Sequence, residues 1–170
     1  MSDIKQTYDI AAPPADVWRA LTDPRIIEEW SGAAAKFPVA VVAPYSLWNG
    51  DIRGRVLEME PPRRLVQTWQ PRDWTRTDSV VAFTLTPRGK GTRVDLVHVN
   101  VEASDYDGTS AGWDIYYLGA IKRMFDAKPA TLRLRSGQTK AAKKAAAKKA
   151  KKPTKKIAAK KKTSSKKSKR

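Results

Sequence analysis

The chain has 170 residues, with 34 lysines and arginines against 17 acidic residues, a net charge of +17, one histidine and no cysteine. The absence of cysteine excludes disulfides, thiolate catalysis and zinc sites built on Cys, and the single His98 excludes a multi-histidine metal centre. The charge is unevenly divided: from Thr131 onward there are 15 Lys and 3 Arg with no acidic group, whereas residues 1–130 hold 16 basic and 17 acidic groups and every Trp, Tyr and Phe. The front part is thus expected to be one domain (1–130), large enough to bury a core without metal or disulfide staples. Residues 131–170 are expected to be a disordered basic tail that seeks polyanions. The N-terminal MSDIKQTYDIAAPP lacks the basic start and apolar run of a secretory leader, and no stretch approaches the roughly 18 apolar residues of a membrane span. A cytoplasmic protein with no membrane partner is expected.

Residues 4–10 alternate as a short strand, and Pro13 and Pro14 then open a helix, where a missing N–H costs nothing. Val17, Trp18 and Leu21 fall at helical spacing. Asp23-Pro24 breaks that helix, and Arg25–Trp30 reads as a second, with Ile26, Ile27 and Trp30 on one side. From Val39 the period becomes two: VAVV, YSLW, DIRGRVLEMEPP, RLVQTWQ, SVVAFTLTP and TRVDLVHVNV are each bounded by turn residues. Asn49-Gly50 predicts a two-residue hairpin turn, and Glu60–Arg63 and Arg88–Gly91 two further turns, so these strands should pair antiparallel in sequence order. Gly54, inside a strand, marks a bend or a place of close packing. After Asp107-Gly108 a helical stripe of Trp113, Tyr117, Ile121, Met124 and Phe125 returns, ending before Pro129. This order predicts an α+β fold in which a curved antiparallel sheet wraps a long C-terminal helix.

Motifs running in register from residue 3 to about 127 resemble the domain shared by homologues of the activator of heat-shock-protein-90 ATPase. They include Ala12-Pro13, Val17-Trp18, Ala20–Pro24, Trp30, Leu47-Trp48, Gly50, Ile52 and Gly54. They continue with Glu60-Pro61, Arg64–Val66, Trp69, Gly91-Thr92, Leu96, His98, Gly112-Trp113, Tyr116-Tyr117 and Ile121-Lys122. The resemblance implies the START-like, or SRPBCC, superfamily and its helix-grip fold, often with a hydrophobic cavity between sheet and helix. Fold alone does not choose among that superfamily's carriers, cyclases and chaperone activator. Where the family usually has a Gly-Gly pair before its Phe/Tyr-x-Leu-Trp strand, this chain has Val42-Ala43-Pro44, so a differently shaped cavity entrance is expected. The eukaryotic activator also carries a second, N-terminal domain, and the resemblance leads to no expectation of one here.

Trp30, Trp48, Trp69, Trp74, Trp113, Tyr116, Tyr117 and Phe83 exceed what a core of this size needs. Core filling accounts for many of them, while a pocket for an apolar ligand would be lined by Trp30, Trp48, Trp69, Phe83, His98, Trp113, Tyr117 and Ile121. His98 shares a strand face with Val94 and Leu96, so it should point inward as a hydrogen-bonded core residue. Glu58 and Glu60 share a face with Ile52 and Val56 and read as a solvated strand end, and Asp73, Ser79, Asp105 and Asp107 read as turn formers and caps. No nucleophile motif, phosphate loop or metal-ligand spacing is found, so no cofactor, no metal and no enzymatic activity are expected.

The tail resembles those of linker histones and of lysine- and alanine-rich bacterial nucleoid proteins. Its Lys140, Lys143, Lys144, Lys148, Lys149, Lys151, Lys152, Lys155, Lys156, Lys160, Lys161 and Lys162 are the expected contacts to DNA, made without sequence preference and placing the protein at the nucleoid. The expected function is a non-enzymatic START-like domain binding a small apolar ligand and tethered to DNA. The alternatives are a chaperone ATPase-associated stress protein, or a small cyclase or hydrolase using the cavity.

Overall fold

The computed structural model describes residues 3–38 and 40–127. Strand β1 (Ile4–Ile10) leads into helices α1 (Pro14–Thr22) and α2 (Pro24–Ser31). Proline opens both helices, and Asp23 both ends the first and caps the second, its Oδ1 accepting from the Arg25 N–H at 3.1 Å. Trp30 reaches back to donate its indole N–H to the Ala20 carbonyl at 2.9 Å, one of the carbonyls left free where α1 ends. Gly32 then closes α2 in the left-handed conformation at φ 71°.

The next strands are β2 (Pro44–Leu47), β3 (Ile52–Glu60), β4 (Arg64–Thr68), β5 (Gln70–Pro71), β6 (Val80–Arg88) and β7 (Gly91–Val99). They form a curved, antiparallel seven-stranded sheet in the order β1-β7-β6-β4-β3-β2, with β5 beside β3. The meander thus pairs in sequence order, and β1 returns to close its far edge against β7 from Ile4↔His98 to Ile10↔Thr92.

The last helical run consists of α3 (Tyr106–Gly112), a π-helical turn (Trp113–Tyr117) and α4 (Leu118–Ala127). Right-handed helical dihedrals at Gly112 and Leu118 make them one continuous helix. Trp113, Tyr117, Leu118, Ile121 and Phe125 are buried against the concave side of the sheet, each burial contributing roughly 1.5–3 kcal/mol. The widened turn explains Gly119: a Cβ there would sit 1.6 Å from the Asp114 carbonyl oxygen. Arg123 supports the same turn by donating to the Ile115 carbonyl.

Four strand expectations are corrected by local physics. VAVV is no strand: Val39 lies outside the described residues, and residues 40–43 form a turn with Val41 and Val42 exposed. Val42 sits at φ 69°, a region that favours glycine, and is held there by its N–H to the Val56 carbonyl at 2.7 Å and by Arg55 on its own carbonyl at 3.1 Å. RLVQTWQ is interrupted at Trp69, because Thr68 gives its carbonyl to the Tyr45 hydroxyl at 2.6 Å and its Oγ1 to the Arg55 N–H at 2.9 Å in place of ladder bonds. Gly54 faces this interruption, with 2.2 Å between a hypothetical Cβ and the Thr68 carbonyl. A bulge between Val56 and Glu58 leaves Met59, not Glu58, facing inward beyond Val56, and Glu58 and Glu60 pair with Arg64 and Arg63 at the surface. Asn49-Gly50 lies inside a four-residue connection between Leu47 and Ile52 in which Trp48, Asn49 and Gly50 all have positive φ.

His98 is fully buried on β7 with Val94 and Leu96. The Trp113 indole N–H can only donate, so His98 Nδ1 accepts it at 3.2 Å and the ring proton sits on Nε2, which donates to Ser79 Oγ at 2.7 Å. Ser79 is accordingly a buried partner of His98 rather than a turn former, and Trp74 stacks on the imidazole at 6.0 Å and 13°. Burial pushes the His98 pKa down to about 4, with the Asp3 charge opposing weakly.

Two measurements follow from this packing. Between pH 6.5 and 4 the unfolded chain binds a proton that the native imidazole refuses, so the stability His98 contributes is complete above pH 6.5. It falls by about 3 kcal/mol as the pH drops to 4. Urea titrations across that range should show a steeper acid loss for the native chain than for His98→Gln, and equal slopes would contradict the buried neutral imidazole. Val42→Gly should raise stability by roughly 1 kcal/mol, since relief of left-handed strain exceeds the freedom gained in the unfolded chain. Calorimetry should register this as a Tm higher by about 3–5 °C, and an unchanged or lower Tm would contradict the strain.

Candidate functional site

Where the π-helical turn passes the β2–β3 connection, the helix and sheet do not close fully, and a cleft of about 620 Å³ opens between them. Its walls are aromatic: Trp48 from the connection, Trp69 from the break between β4 and β5, and Trp113, Tyr116 and Tyr117 from the π turn. A helix of normal pitch brings residues three and four apart to one face. The π turn holds Trp113 and Tyr117 inward while Tyr116 stands at the mouth, 66% exposed. The rings meet mostly edge to face, Trp48 against Trp69 at 6.3 Å and 81° and against Tyr117 at 5.7 Å and 75°, while Trp69 and Trp113 approach to 4.6 Å at 43°.

Polar groups ring the mouth. Asn49 and Asp51 come from the β2–β3 connection, Ser31 from the end of α2, and Asp105 and Thr109 from the start of α3. Asp51 is paired with Arg72 at 2.8 Å, whereas Asp105 accepts hydrogen bonds from Trp74 Nε1 at 2.9 Å and Thr109 Oγ1 at 3.0 Å. Beneath the aromatic floor the Tyr117 hydroxyl and both amide atoms of Gln67 are buried with no hydrogen-bond partner among the described residues. Burial pushes the Tyr117 pKa upward and keeps the phenol neutral. Burial, with Tyr117 adding to it, also raises that of Tyr45 well above its ordinary value. The Gln67 amide stands near enough to oppose part of that rise, yet neither of its atoms meets hydrogen-bond geometry with the Tyr45 hydroxyl. Tyr8, on β1, is raised to about 12 by burial and by Asp114.

Of the eight sequence-predicted lining residues, Trp48, Trp69, Trp113 and Tyr117 meet in the cleft. Phe83 and Ile121 lie fully buried beneath it, Phe83 stacked under Tyr117 at 5.7 Å and 15°. His98 is one layer deeper, behind Trp69 and Trp113, with both ring nitrogens engaged. Trp30 touches Tyr117 at 4.9 Å but lines a different recess, with Ala120, Arg123 and Met124. Asp51, Asp105 and Thr109 were missed as lining residues because, in the sequence, each is indistinguishable from a turn former or cap. The twelve predicted DNA-contacting lysines lie outside the described residues.

The arrangement offers a concave apolar surface with a polar rim, which suits binding. Among the described residues no group of three His, Asp or Glu side chains stands close enough to hold a metal ion, and no helix is long and apolar enough to cross a membrane.

Comparison with known proteins agrees with this architecture. The chain is 24% identical over 124 residues to the activator of 90 kDa heat shock protein ATPase homolog of Dictyostelium discoideum. That match covers 72% of the chain but only 32% of the relative, so the chain spans about a third of that protein's length. The crystal structure of an HSP90 activator from Plasmodium falciparum superimposes with a TM-score of 0.67 at 27% identity, over 73% of this chain and 96% of that one. A protein from Mesorhizobium loti matches at 30% identity with a TM-score of 0.65, over 75% of this chain and 99% of the other. Residues 11–126 match the family described as activator of Hsp90 ATPase homolog 1-like protein, and the chain belongs to that family.

Proposed function

We propose that this chain is a chaperone-associated protein whose folded domain engages an ATPase of the 90 kDa heat-shock class and raises its turnover. The observation that carries this reading is the extent of the likeness: the family match runs from residue 11 to 126, across nearly all of the folded domain. The superposition on the Plasmodium activator takes in almost the whole of that chain. Such a role requires no hydrolytic machinery in the domain itself, because the partner supplies it, and this suits a fold whose one histidine is locked in the core. Added in excess to a purified 90 kDa heat-shock ATPase, the full chain should raise steady-state turnover by about fivefold, the scale of an ordinary coupling between sites. Turnover unchanged at saturation would contradict the reading.

The cleft supports a second reading, that the domain also holds a small apolar or aromatic ligand, because its rings and rim have the composition of ligand sites. The basic tail supports a third element, a tether to DNA, on its charge alone. If about ten lysines meet phosphates, log affinity for duplex DNA should fall against log salt with a slope near −9. A slope near zero in filter-binding titrations of the full chain would remove the tether.

A further inference from the structure

The cleft's walls and its rim carry charge information of one sign. Among the described residues five aromatic rings line it, and the charged lining residues are Asp51 and Asp105, with no Lys or Arg beside them. Asp51 is offset by Arg72 at 2.8 Å. Asp105 has no ion-pair partner among the described residues: its side-chain donors there, Trp74 Nε1 and Thr109 Oγ1, are neutral. Of the lining rings, Trp69, Trp113 and Tyr117 are buried, whereas Trp48 is half-buried and Tyr116 largely exposed, so the electron-rich surface that remains for a guest lies on Trp48 and Tyr116. We propose that the cleft is a site for a small organic cation, an alkylated ammonium carried on an apolar or aromatic body, with the charge held between the ring faces and Asp105.

The alternatives fit less well. An anion would meet a carboxylate and the negative faces of the rings. A neutral apolar guest would satisfy the walls but strip water from Asp105 without replacing it. A cation reverses that cost, and an alkylated one is weakly hydrated, so it enters an aromatic site with little loss. The cleft of about 620 Å³ also has room for a body larger than the ammonium group itself. The inference rests on the second reading above, that the cleft takes a ligand, and is independent of the chaperone reading.

Two probes of the same shape test it: 3-hydroxyphenyltrimethylammonium and 3-tert-butylphenol, which differ in exchanging a charged nitrogen for a carbon. In calorimetric titrations of the full chain the cation should bind at least about tenfold more tightly than the phenol. Asp105→Asn, which keeps hydrogen-bond acceptance, should erase most of that ratio while leaving phenol affinity unchanged. Tyr116→Leu provides a second variant at a 66% exposed position, where the fold tolerates change. It keeps apolar contact and removes a ring face, so it should weaken the cation and spare the phenol. Equal affinities, or a ratio untouched by both variants, would overturn the cation assignment while leaving a ligand cleft in place. Binding of neither probe would overturn both.

Discussion

The insertion of Trp113 and Tyr117 from the last helix into the hollow of the sheet is the contact on which the rest of the domain depends. Tyr117 meets Trp30 from α2, Trp48 from the β2–β3 connection, Trp69 from the strand break and Phe83 from β6, so four segments distant in sequence converge on one ring. Trp113 adds the link to β7 through its indole N–H on His98. Aromatic contacts of this kind add to simple burial because edge-to-face pairs are directional. The helix is thereby fixed in rotation as well as in depth.

The same insertion creates the cleft. Trp113, Tyr116 and Tyr117 reach the opening from a π turn that is sustained by Gly119 and by Arg123 on the Ile115 carbonyl. On the sheet side, the break at Trp69 and the positive-φ run through Trp48, Asn49 and Gly50 turn two more indoles toward the gap. Core and site are therefore built from one set of rings. The inner side of the set, Phe83 and His98, is sealed, and the outer side lines the cleft.

Much of the architecture was legible because burial imposes its period on the residues. Strands β3, β4, β6 and β7, both early helices, the inward aim of His98 and the tight packing at Gly54 follow from alternation, helical spacing and turn chemistry. What escaped has one kind of cause, the replacement of a backbone partner by a side chain or by strain. Val42 reads as a strand residue, yet tertiary hydrogen bonds hold it at a left-handed dihedral that favours glycine. Thr68 and Tyr45 intercept ladder bonds and break β4 at Trp69, and one bulged residue turns Glu58 outward. The aromatic lining was half visible: residue type marks Trp48, Trp69, Trp113 and Tyr117, but only the fold separates them from the equally aromatic Phe83 and Trp30. The rim carboxylates were invisible, because Asp51 and Asp105 acquire meaning only once the helix and the β2–β3 connection face each other.

Native-state hydrogen exchange tests most directly whether the helix and the sheet stand or fall together. If Trp113 and Tyr117 lock the helix into the sheet, the amides of α4 and those of β6 and β7 should exchange through the same global opening, with equal free energies and equal dependence on denaturant. Exchange of the α4 amides at a clearly lower free energy, while the strands stay protected, would mean that the helix can lift away alone, and the account of a single interlocked core would fail.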